Sequence, residues 1–362
     1  MSDTDKKRVV IGLSGGVDSS VAAYLLKENG YQVIGVTLRT WQADSGAYSR
    51  CCEISDARKT ADQLGIPFYN INSLPEFEEH VTEPFMQAYL KGTTPNPCVD
   101  CNRYVKWEGL LKFADEINAE YVATGHYARV VKTESGRYTV KMAKTAKKDQ
   151  TYMLYRLTQD QLARTLMPLA DYTKDEVRRI AEEQGLVTAA KKDSQEICFV
   201  LDGGYAEYID SHTEGSMPPP GDFVDTDGNV LGQHKGIIHY TVGQRKRLGL
   251  ALGYPAYVTR IDAANNRVVI GDESSVLQKS ITCRDLNFQA IEDIAEGEKV
   301  RAYVKIRYHH DAAPAVITRA DSDSVRIEFD EPVKAPAPGQ SAVFYDEDKR
   351  VIGGGVIAAV EK

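Results

Sequence analysis

The chain of 362 residues is 42% hydrophobic and 27% charged, with a mean hydropathy of −0.38. This length predicts roughly two or three domains, and the composition excludes a disordered or low-complexity protein. The 44 Lys and Arg residues against 52 Asp and Glu give a formal charge of −8, which argues against a protein that coats nucleic acid by bulk electrostatics. We expect a cytoplasmic protein with no membrane partner, because no apolar run is long enough to cross a bilayer and the N-terminus lacks a secretory signal.

From residue 8 to about residue 118, short β-branched runs alternate with amphipathic helical patterns. This alternation is typical of a parallel sheet with crossover helices, so the chain opens with an α/β domain. The predicted strands are Val9–Leu13, Gln32–Leu38, Pro67–Ile71 and Tyr121–Thr124. The predicted helices are Asp18–Glu28, Ile54–Leu64, Glu76–Lys91 and Val105–Ile117.

The later chain changes character from α/β to β. A hairpin of Ala128–Val131 with Tyr138–Ala143 and two helical segments, Gln159–Met167 and Lys174–Gln184, extend the first domain. The proline-rich stretch 217–221 cannot continue a helix and predicts a boundary near residue 215. Short strand patterns follow, and after residue 280 they recur at the spacing of a β-barrel or sandwich. We predict an α/β parallel-sheet domain (1–215), a small central β-rich module (216–279) and a C-terminal β-barrel (280–362).

The strongest local signal is the string Ser14-Gly15-Gly16-Val17-Asp18-Ser19, between the first predicted strand and the first predicted helix. Adjacent glycines let the backbone approach an anion closely, and the serine hydroxyls and the N–H groups at the helix start supply donors. The string lacks the Gly-Lys-Ser/Thr of a Walker loop and the spacing of a dinucleotide-binding loop. It predicts a phosphate-binding loop, and the alternative is a glycine turn with a Ser or Asp N-cap.

Two cysteine motifs stand out among six cysteines. Cys98 and Cys101 follow Thr94-Pro95-Asn96-Pro97, whose prolines predict an exposed, stiff loop rather than a regular helix. This C-x-x-C spacing alone serves zinc sites, iron-sulfur clusters, redox pairs or nothing. The second motif contains Cys198, within Asp193–Phe199. The other three cysteines, Cys51, Cys52 and Cys283, are expected to be buried or incidental thiols.

The ordered motifs resemble a known enzyme family. The string Ser14–Ser19 resembles the PP-loop of the ATP pyrophosphatase superfamily, which adenylates a substrate and releases pyrophosphate. The motifs that follow are Thr94–Asn102, Ala123–Ala128, Lys148–Tyr152 and Asp193–Phe199. In this order and spacing they resemble the tRNA-specific 2-thiouridylases, which exchange the C2 oxygen of the wobble uridine for sulfur. The resemblance runs from residue 8 to Gly353–Gly355 and covers essentially the whole chain.

This resemblance implies a PP-loop α/β domain that uses ATP and Mg²⁺. It places ATP contacts on Gly12, Leu13, Ser14, Gly15, Gly16, Val17, Asp18, Ser19, Leu38 and Gly125. Asp18 is expected to be a weak Mg²⁺ ligand, since this hard cation prefers carboxylate and phosphate oxygens. For Leu38 the alternative is ordinary core packing.

The resemblance also implies the sulfur chemistry. ATP adenylates the C2 oxygen, because the uridine carbonyl is a poor electrophile and AMP is a good leaving group. Cys198 carries a persulfide accepted from a sulfur-relay donor protein or a cysteine desulfurase, and Cys101 is the nucleophile that attacks its inner sulfur. The resulting Cys101–Cys198 disulfide is then reduced by a cellular reductant.

Position 98 departs from the family pattern, because many members carry an aspartate there with an acid/base or base-contacting role. The implied contacts to the target base are Asn96, Pro97 and Cys98, and Asp100 is the nearest carboxylate that would substitute. The alternative is a [4Fe-4S] cluster held by Cys98, Cys101 and Cys198, with one iron open to hydrosulfide.

Local basic runs predict the RNA-facing surfaces. Residues 124–148 hold seven Lys and Arg against one acid, and residues 231–250 hold four with no acid. Such runs on an acidic chain match a tRNA footprint fixed by phosphate contacts. The resemblance places tRNA contacts on His126, Lys148, Asp149, Gln150, Arg307, Tyr308 and Gln340. For His126 the alternative is a hydrogen-bonded structural histidine.

Two other functions compete with thiolation. A PP-loop synthetase that adenylates a small carboxylate or amide would have no use for Cys101 and Cys198. An RNA-binding redox or iron-sulfur sensor without catalysis would leave the intact Ser14–Ser19 loop unexplained.

Overall fold

The computed structural model describes residues 7–41, 53–191, 197–200, 204–213 and 217–361. These form two compact units. The first unit holds the described residues within 7–81, 98–200 and 348–351, and the second holds those within 82–97, 204–347 and 352–361. Cys51 and Cys52 lie outside the described residues. Within the described residues, no helix is both long and apolar enough to span a bilayer.

Strands and helices alternate in the first part of the chain, as the sequence predicts, and strands predominate from residue 221 onward. The α-helices are α1 Val17–Glu28, α2 Ile54–Leu64, α3 Leu74–Phe77, α4 Glu83–Leu90, α5 Pro97–Asp100, α6 Glu108–Glu116, α7 Gln159–Ala163, α8 Lys174–Glu183 and α9 Tyr205–His212. The strands are β1 Arg8–Gly12, β2 Gln32–Arg39, β3 Phe68–Asn72, β4 Tyr121–Ala123, β5 Ala128–Lys132, β6 Tyr138–Met142, β7 Thr165–Leu166, β8 Gly221–Val224, β9 Val230–His234, β10 Tyr257–Asp262, β11 Arg267–Gly271, β12 Leu277–Phe288, β13 Lys299–Lys305, β14 Ala313–Arg319, β15 Val325–Lys334, β16 Ser341–Tyr345 and β17 Val351–Glu361.

The first unit is built on a five-stranded parallel sheet in the order β3-β2-β1-β4-β7. Its central strand β1 buries Val9, Val10 and Ile11 completely, as a parallel strand covered on both faces must. Residues of α1, α2 and α8 share one apolar core with this sheet. The α/β prediction is therefore confirmed, and the carboxyl end of β1 leads directly into the Ser14–Ser19 loop.

Two predicted helices prove to be broken by π-helical turns. The first runs as α3, a π-turn at Glu78–Thr82 and then α4. The second begins earlier than predicted, because α5 starts at Pro97 and a π-helical segment, Cys101–Trp107, joins it to α6. Proline is well suited to the first position of a helix, where its missing N–H has no intrahelical partner to lose. The prediction that Cys98 and Cys101 lie on an exposed loop was therefore wrong.

A second difference concerns the segment predicted as one helix over 159–167. Helix α7 ends at Ala163, and β7 then pairs with β4 as the last strand of the sheet. The buried Thr165 explains this ending, since its hydroxyl donates to Gln161 O at 2.6 Å and accepts from Trp107 Nε1 at 2.7 Å. Trp107 is fully buried at the end of the π-helical segment. This hydrogen bond ties the cysteine-bearing helix to the sheet.

The second unit is mainly β, as predicted. One sheet has the order β10-β11-β8-β9, and β12-β15-β14-β13-β16-β17 form a closed barrel around its own apolar core. The barrel is thus confirmed against the sandwich alternative. Within this unit the Thr94–Pro95 backbone rests on the barrel, since Thr94 N donates to Pro338 O at 2.8 Å. Gln340 Nε2 donates to Thr94 O and Pro95 O at 3.2 and 3.3 Å.

We expect Thr165→Val to destabilise the protein by about 1–3 kcal/mol, because it leaves the buried indole N–H of Trp107 without an acceptor. The free energy of unfolding is measured by heat or denaturant for Thr165→Val, for Trp107→Phe and for the double variant. This double-mutant cycle should show a coupling free energy of roughly 1 kcal/mol or more between the two positions. Additive effects would show that this hydrogen bond does not stabilise the fold.

Candidate active site

The loop between β1 and α1 has the backbone shape of an anion-binding turn. Gly15 has a φ of +75°, and a Cβ atom there would lie 2.6 Å from Glu53 O. Gly16 is the N-cap of α1 and supplies no side chain to the first N–H groups of the helix. These groups have no partner within the helix, so they can receive a phosphate.

Serine side chains fix the loop from inside. Ser19 Oγ accepts from Ser14 N at 3.2 Å and donates to Gly16 O at 3.1 Å. The hydroxyls of Ser14 and Ser19 lie 3.2 Å apart, and Ser14 Oγ also accepts from Gly16 N at 3.3 Å. Ser19 is buried, whereas Ser14 is half-buried. The loop is therefore held in shape by its own hydroxyls.

The end of β4 lies beside this loop. A Cβ atom on Gly125, just after β4, would lie 2.6 Å from Ser19 N, so only glycine lets the two backbones approach this closely. Leu38 at the end of β2 is buried, and a Cβ atom on Gly109 would lie 3.3 Å from it. The structure thus brings the loop and Gly125 together, while the predicted ATP contact of Leu38 stays a prediction.

Asp18 is bound by two residues that the sequence analysis missed. Its carboxylate lies 2.7 and 2.8 Å from Lys174 Nζ, and Oδ1 accepts from Tyr127 OH at 2.7 Å. Lys174 is 156 positions away along the chain, so no local pattern could have indicated it. The carboxylate, which is 32% exposed, suits a Mg²⁺ ion that takes its other oxygens from water and a nucleotide's phosphates.

A second lysine braces the other side of the loop and was also missed. Lys191 Nζ donates to Gly15 O at 2.9 Å and to Asp56 Oδ2 at 2.8 Å, and it pairs with Glu53. Partial burial lowers the pKa of Lys191 below its usual value. The loop is therefore flanked by Lys174 and Lys191, each neutralised by carboxylates.

The cysteines differ sharply in exposure. Cys98 is exposed, Cys198 is half-buried, and Cys101 at the start of the π-helical segment is only 5% exposed. Cys283 is fully buried in the barrel, and this burial raises its pKa. Among the described residues, no three His, Cys, Asp or Glu side chains are placed to hold a metal ion. The cluster predicted on Cys98, Cys101 and Cys198 therefore gains no support.

The cysteine helix, which consists of α5 and the π-helical segment Cys101–Trp107, is hydrogen-bonded to the segment that follows residues 148–150. Asp100 forms an ion pair with Arg156 at 2.7 Å, and Asn102 Nδ2 donates to Met153 O at 3.0 Å. Arg103 donates to Arg156 O at 2.6 Å. The residues on both sides of Cys101 are thus bound to one neighbouring segment.

The predicted tRNA contacts lie in different environments. Lys148 and Gln150 are half-buried, whereas Asp149 is buried with its carboxylate accepting from Thr151 N and Oγ1 at 3.2 and 2.8 Å. In the second unit Arg307 is exposed and Tyr308 is half-buried with Lys305 over its ring. An RNA contact by the Asp149 side chain would compete with its bonds to Thr151. All of these contacts stay predictions.

His126 combines features of both alternatives that the sequence left open. Its Nδ1 lies 2.8 Å from Thr124 Oγ1, and its ring lies 5.5 Å from that of Trp107. Burial, and secondarily the charge of Lys106, lower the pKa of His126 to about 3. The ring is therefore neutral near pH 7 and is suited to accepting or donating a hydrogen bond rather than to binding phosphate by charge.

The chain matches models of three successive domains. Residues 7–202 match a tRNA methyl transferase HUP domain, residues 207–272 a tRNA methyl transferase PRC-barrel domain, and residues 278–357 an aminomethyltransferase beta-barrel domain. The first unit is thus a nucleotide-binding α/β domain of the HUP class with a PP-loop. The predicted boundary at 215/216 falls nine residues inside the second match, and the boundary at 279/280 falls two residues inside the third, so both boundaries stay predictions.

Relatives of known name match over nearly their whole length. The chain is 52% identical over 358 residues to the tRNA-specific 2-thiouridylase MnmA of Lachnoclostridium phytofermentans, covering 97% of this chain and 99% of the relative. It is 50% identical over 357 residues to that of Clostridioides difficile (97% and 98%) and 51% over 361 residues to that of Acetivibrio thermocellus (97% and 99%). The chain belongs to the tRNA-specific 2-thiouridylase family.

We expect Gly15→Ala to weaken ATP binding by about tenfold or more, because the added methyl group meets Glu53 O and deforms the anion-binding turn. Gly30→Ala is the matched control, since Gly30 at the other end of α1 has a φ of +85° and nothing within 4 Å of its Cβ position. The control should lose some thermal stability and keep its ATP affinity. Calorimetric titration decides, and equal ATP affinities of the two variants would contradict this role of the loop.

We expect the His126 ring to stay neutral as the pH falls from about 7 to about 5. Its pKa is about 3 in the folded protein and 6.5 by default, so the unfolded chain binds more protons between these values. His126 therefore lowers the stability as the pH falls through this window, and His126→Asn should reduce that loss. An NMR titration of the ring checks the pKa, and protonation of the folded protein near pH 6.5 would contradict it.

Proposed function

We propose that this protein catalyses the ATP-dependent 2-thiolation of the wobble uridine of tRNA, with sulfur delivered from a cysteine persulfide. The observation that carries the proposal is the anion-binding turn that Gly15 and Gly16 form before α1. The Asp18 carboxylate lies beside this turn and is bound by Lys174 and Tyr127. Membership of the thiouridylase family supplies the substrate class. A cytoplasmic location is part of this proposal, because the reaction requires reduced thiols.

The first step needs an activated uridine. The C2 oxygen attacks the α-phosphorus of ATP, pyrophosphate leaves, and C2 then carries AMP as a leaving group. The loop N–H groups and the Ser14 hydroxyl bind and orient the phosphates, Ser19 holds the loop in shape beneath them, and Lys174 and Lys191 supply positive charge beside them. Bound Mg²⁺ would add further charge neutralisation at the released pyrophosphate.

The second step transfers sulfur. The terminal sulfur of a Cys198 persulfide attacks C2 and AMP departs with the bonding electron pair. The Cys101 thiolate then attacks the Cys198 Sγ, breaking the S–S bond and leaving sulfur on C2 as the thiocarbonyl. Alternatively Cys101 attacks first and releases hydrosulfide, which attacks C2. Either order ends in a Cys101–Cys198 disulfide that a cellular reductant must reduce, and a sulfur-relay protein or a desulfurase must supply the persulfide.

The exposed Cys98 takes the place of the family's aspartate in this proposal. Asp100 is a poor substitute, because its carboxylate is bound by Arg156 at 2.7 Å. Cys98, with Asn96 and Pro97, therefore contacts the target base without acid/base chemistry from a carboxylate. The RNA is held by His126, Lys148, Gln150, Arg307, Tyr308 and Gln340, with the position of Asp149 fixed by Thr151.

We expect Cys198→Ala and Cys101→Ala each to lower tRNA thiolation by roughly a thousandfold or more, since each removes a sulfur that forms a covalent bond in the reaction. Both variants should keep tRNA-dependent pyrophosphate release, because adenylation needs neither thiol. Cys283→Ala is the matched control and should keep full activity, since Cys283 is buried in the barrel core. Thiolation of unmodified tRNA with ATP, Mg²⁺ and a sulfur source is measured.

The same assay separates the competing functions. Full thiolation by anaerobically purified protein without iron would agree with the persulfide route, whereas stoichiometric iron with iron-dependent thiolation would replace it with the cluster on Cys98, Cys101 and Cys198. Turnover that survives in Cys198→Ala would favour a small-molecule synthetase. Pyrophosphate release that persists in Asp18→Ala would remove the basis for a nucleotide site at this loop.

A further inference from the structure

Tyr127 occupies an unusual place in the first unit. It is 2% exposed, and its hydroxyl donates to Asp18 Oδ1 at 2.7 Å. Its backbone N–H donates to Gln150 Oε1 at 2.8 Å, and its carbonyl accepts from Gln150 N at 3.1 Å. One buried residue thus connects the nucleotide loop, through its side chain, with the segment that carries the predicted RNA contacts, through its backbone.

The connection continues to the cysteine helix. Gln150 O accepts from Met153 N at 3.0 Å, and Met153 O accepts from Asn102 Nδ2 at 3.0 Å. Asn102 directly follows Cys101 and is 2% exposed. A continuous series of hydrogen bonds therefore leads from the Asp18 carboxylate to the residue beside the predicted nucleophile.

The first bond of this series depends on what Asp18 binds. Oδ1 of Asp18 accepts from Tyr127 OH and also contacts Lys174 Nζ at 2.7 Å. A cation or nucleotide that engages this carboxylate or attracts Lys174 changes the partners of the same oxygen. Because a ligand shifts an equilibrium only through such differential contacts, Tyr127 is placed where nucleotide occupancy can act on Gln150.

We propose that Tyr127 is a positioning residue that couples nucleotide binding at Asp18 to tRNA binding at segment 148–150. This inference rests on the proposed function, because it takes ATP and tRNA as the two ligands. A nucleotide at the loop orders Tyr127, Tyr127 orders Gln150, and the protein binds tRNA more tightly when ATP is present. By linkage, tRNA strengthens nucleotide binding by the same factor.

The test measures tRNA affinity with and without saturating α,β-methylene ATP and Mg²⁺, a nucleotide that cannot release pyrophosphate. In the parent protein the nucleotide should tighten tRNA binding by about fivefold or more. The ratio of the tRNA affinities with and without the nucleotide should fall to within about twofold of unity in Tyr127→Phe. The affinity for tRNA alone should be preserved. A purely structural tyrosine would instead lower thermal stability and leave the ratio unchanged.

Tyr121→Phe is the matched control. Tyr121 lies on β4 six residues before Tyr127, and its hydroxyl accepts only an exposed contact from Lys7 Nζ at 3.3 Å among the hydrogen bonds described for it. This variant should keep the parent ratio. A ratio of one in the parent protein, or a parent-like ratio in Tyr127→Phe, would overturn the coupling.

A second measurement covers the case in which Tyr127→Phe does not fold. Hydrogen exchange of the parent protein should slow for the amides of residues 150–154 when the nucleotide analogue binds, since Gln150 N and Met153 N belong to the series. Unchanged exchange would overturn the proposal. Thiolation by a parent protein that shows no coupling would sink this inference alone, whereas absence of both tRNA binding and thiolation would sink the proposed function.

Discussion

The site depends on the close approach of two backbones at the carboxyl edge of the parallel sheet. Gly125 lies so near the first turn of α1 that a single methyl group would meet Ser19 N at 2.6 Å. The end of β4 and the start of α1 are therefore in direct backbone contact. His126 and Tyr127 follow directly on the chain, so this contact places their backbone near Asp18, and the Tyr127 hydroxyl then reaches the carboxylate through its own hydrogen bond.

The second constraint is electrostatic. An acidic protein must present an anion-binding loop, and it does so by flanking the loop with Lys174 and Lys191, which three carboxylates neutralise in the described structure. An arriving phosphate competes with these carboxylates for the two ammonium groups. Phosphate binding therefore replaces carboxylate partners of Lys174 and Lys191 with phosphate oxygens. The desolvation penalty is smaller than it would be if the two lysines were held unpaired in a half-buried site. The same exchange changes the surroundings of Asp18.

Local patterns predicted the features that depend on nearby residues. The alternation of apolar runs and helical periods gave the parallel sheet, and the Gly15-Gly16 pair gave the anion-binding turn, because both are encoded within a few positions. The cysteine helix was missed because Pro97 was treated as a helix breaker, although it begins a helix. Strand β7 was missed because a strand of two residues is too short to show the alternation of apolar and polar residues that marks a strand. Lys174, Lys191 and Tyr127 were missed because their partners lie more than a hundred positions away.

The burial of Cys101 sets a condition on the proposed chemistry. A thiol that is 5% exposed at the start of a π-helical segment is closed to solvent and to a tRNA base until its surroundings move. Trp107 is hydrogen-bonded to Thr165 at one end of this segment, and Asn102 to Met153 at the other. π-Helical turns frequently occur at functional sites, where the helix can repack locally. The bond from Asn102 leads to Met153, three residues after the predicted RNA contacts at 148–150, so in the proposed function tRNA binding acts where this helix is attached. In that proposal, the coupling keeps the predicted nucleophile shielded from oxidants until the substrate is in place.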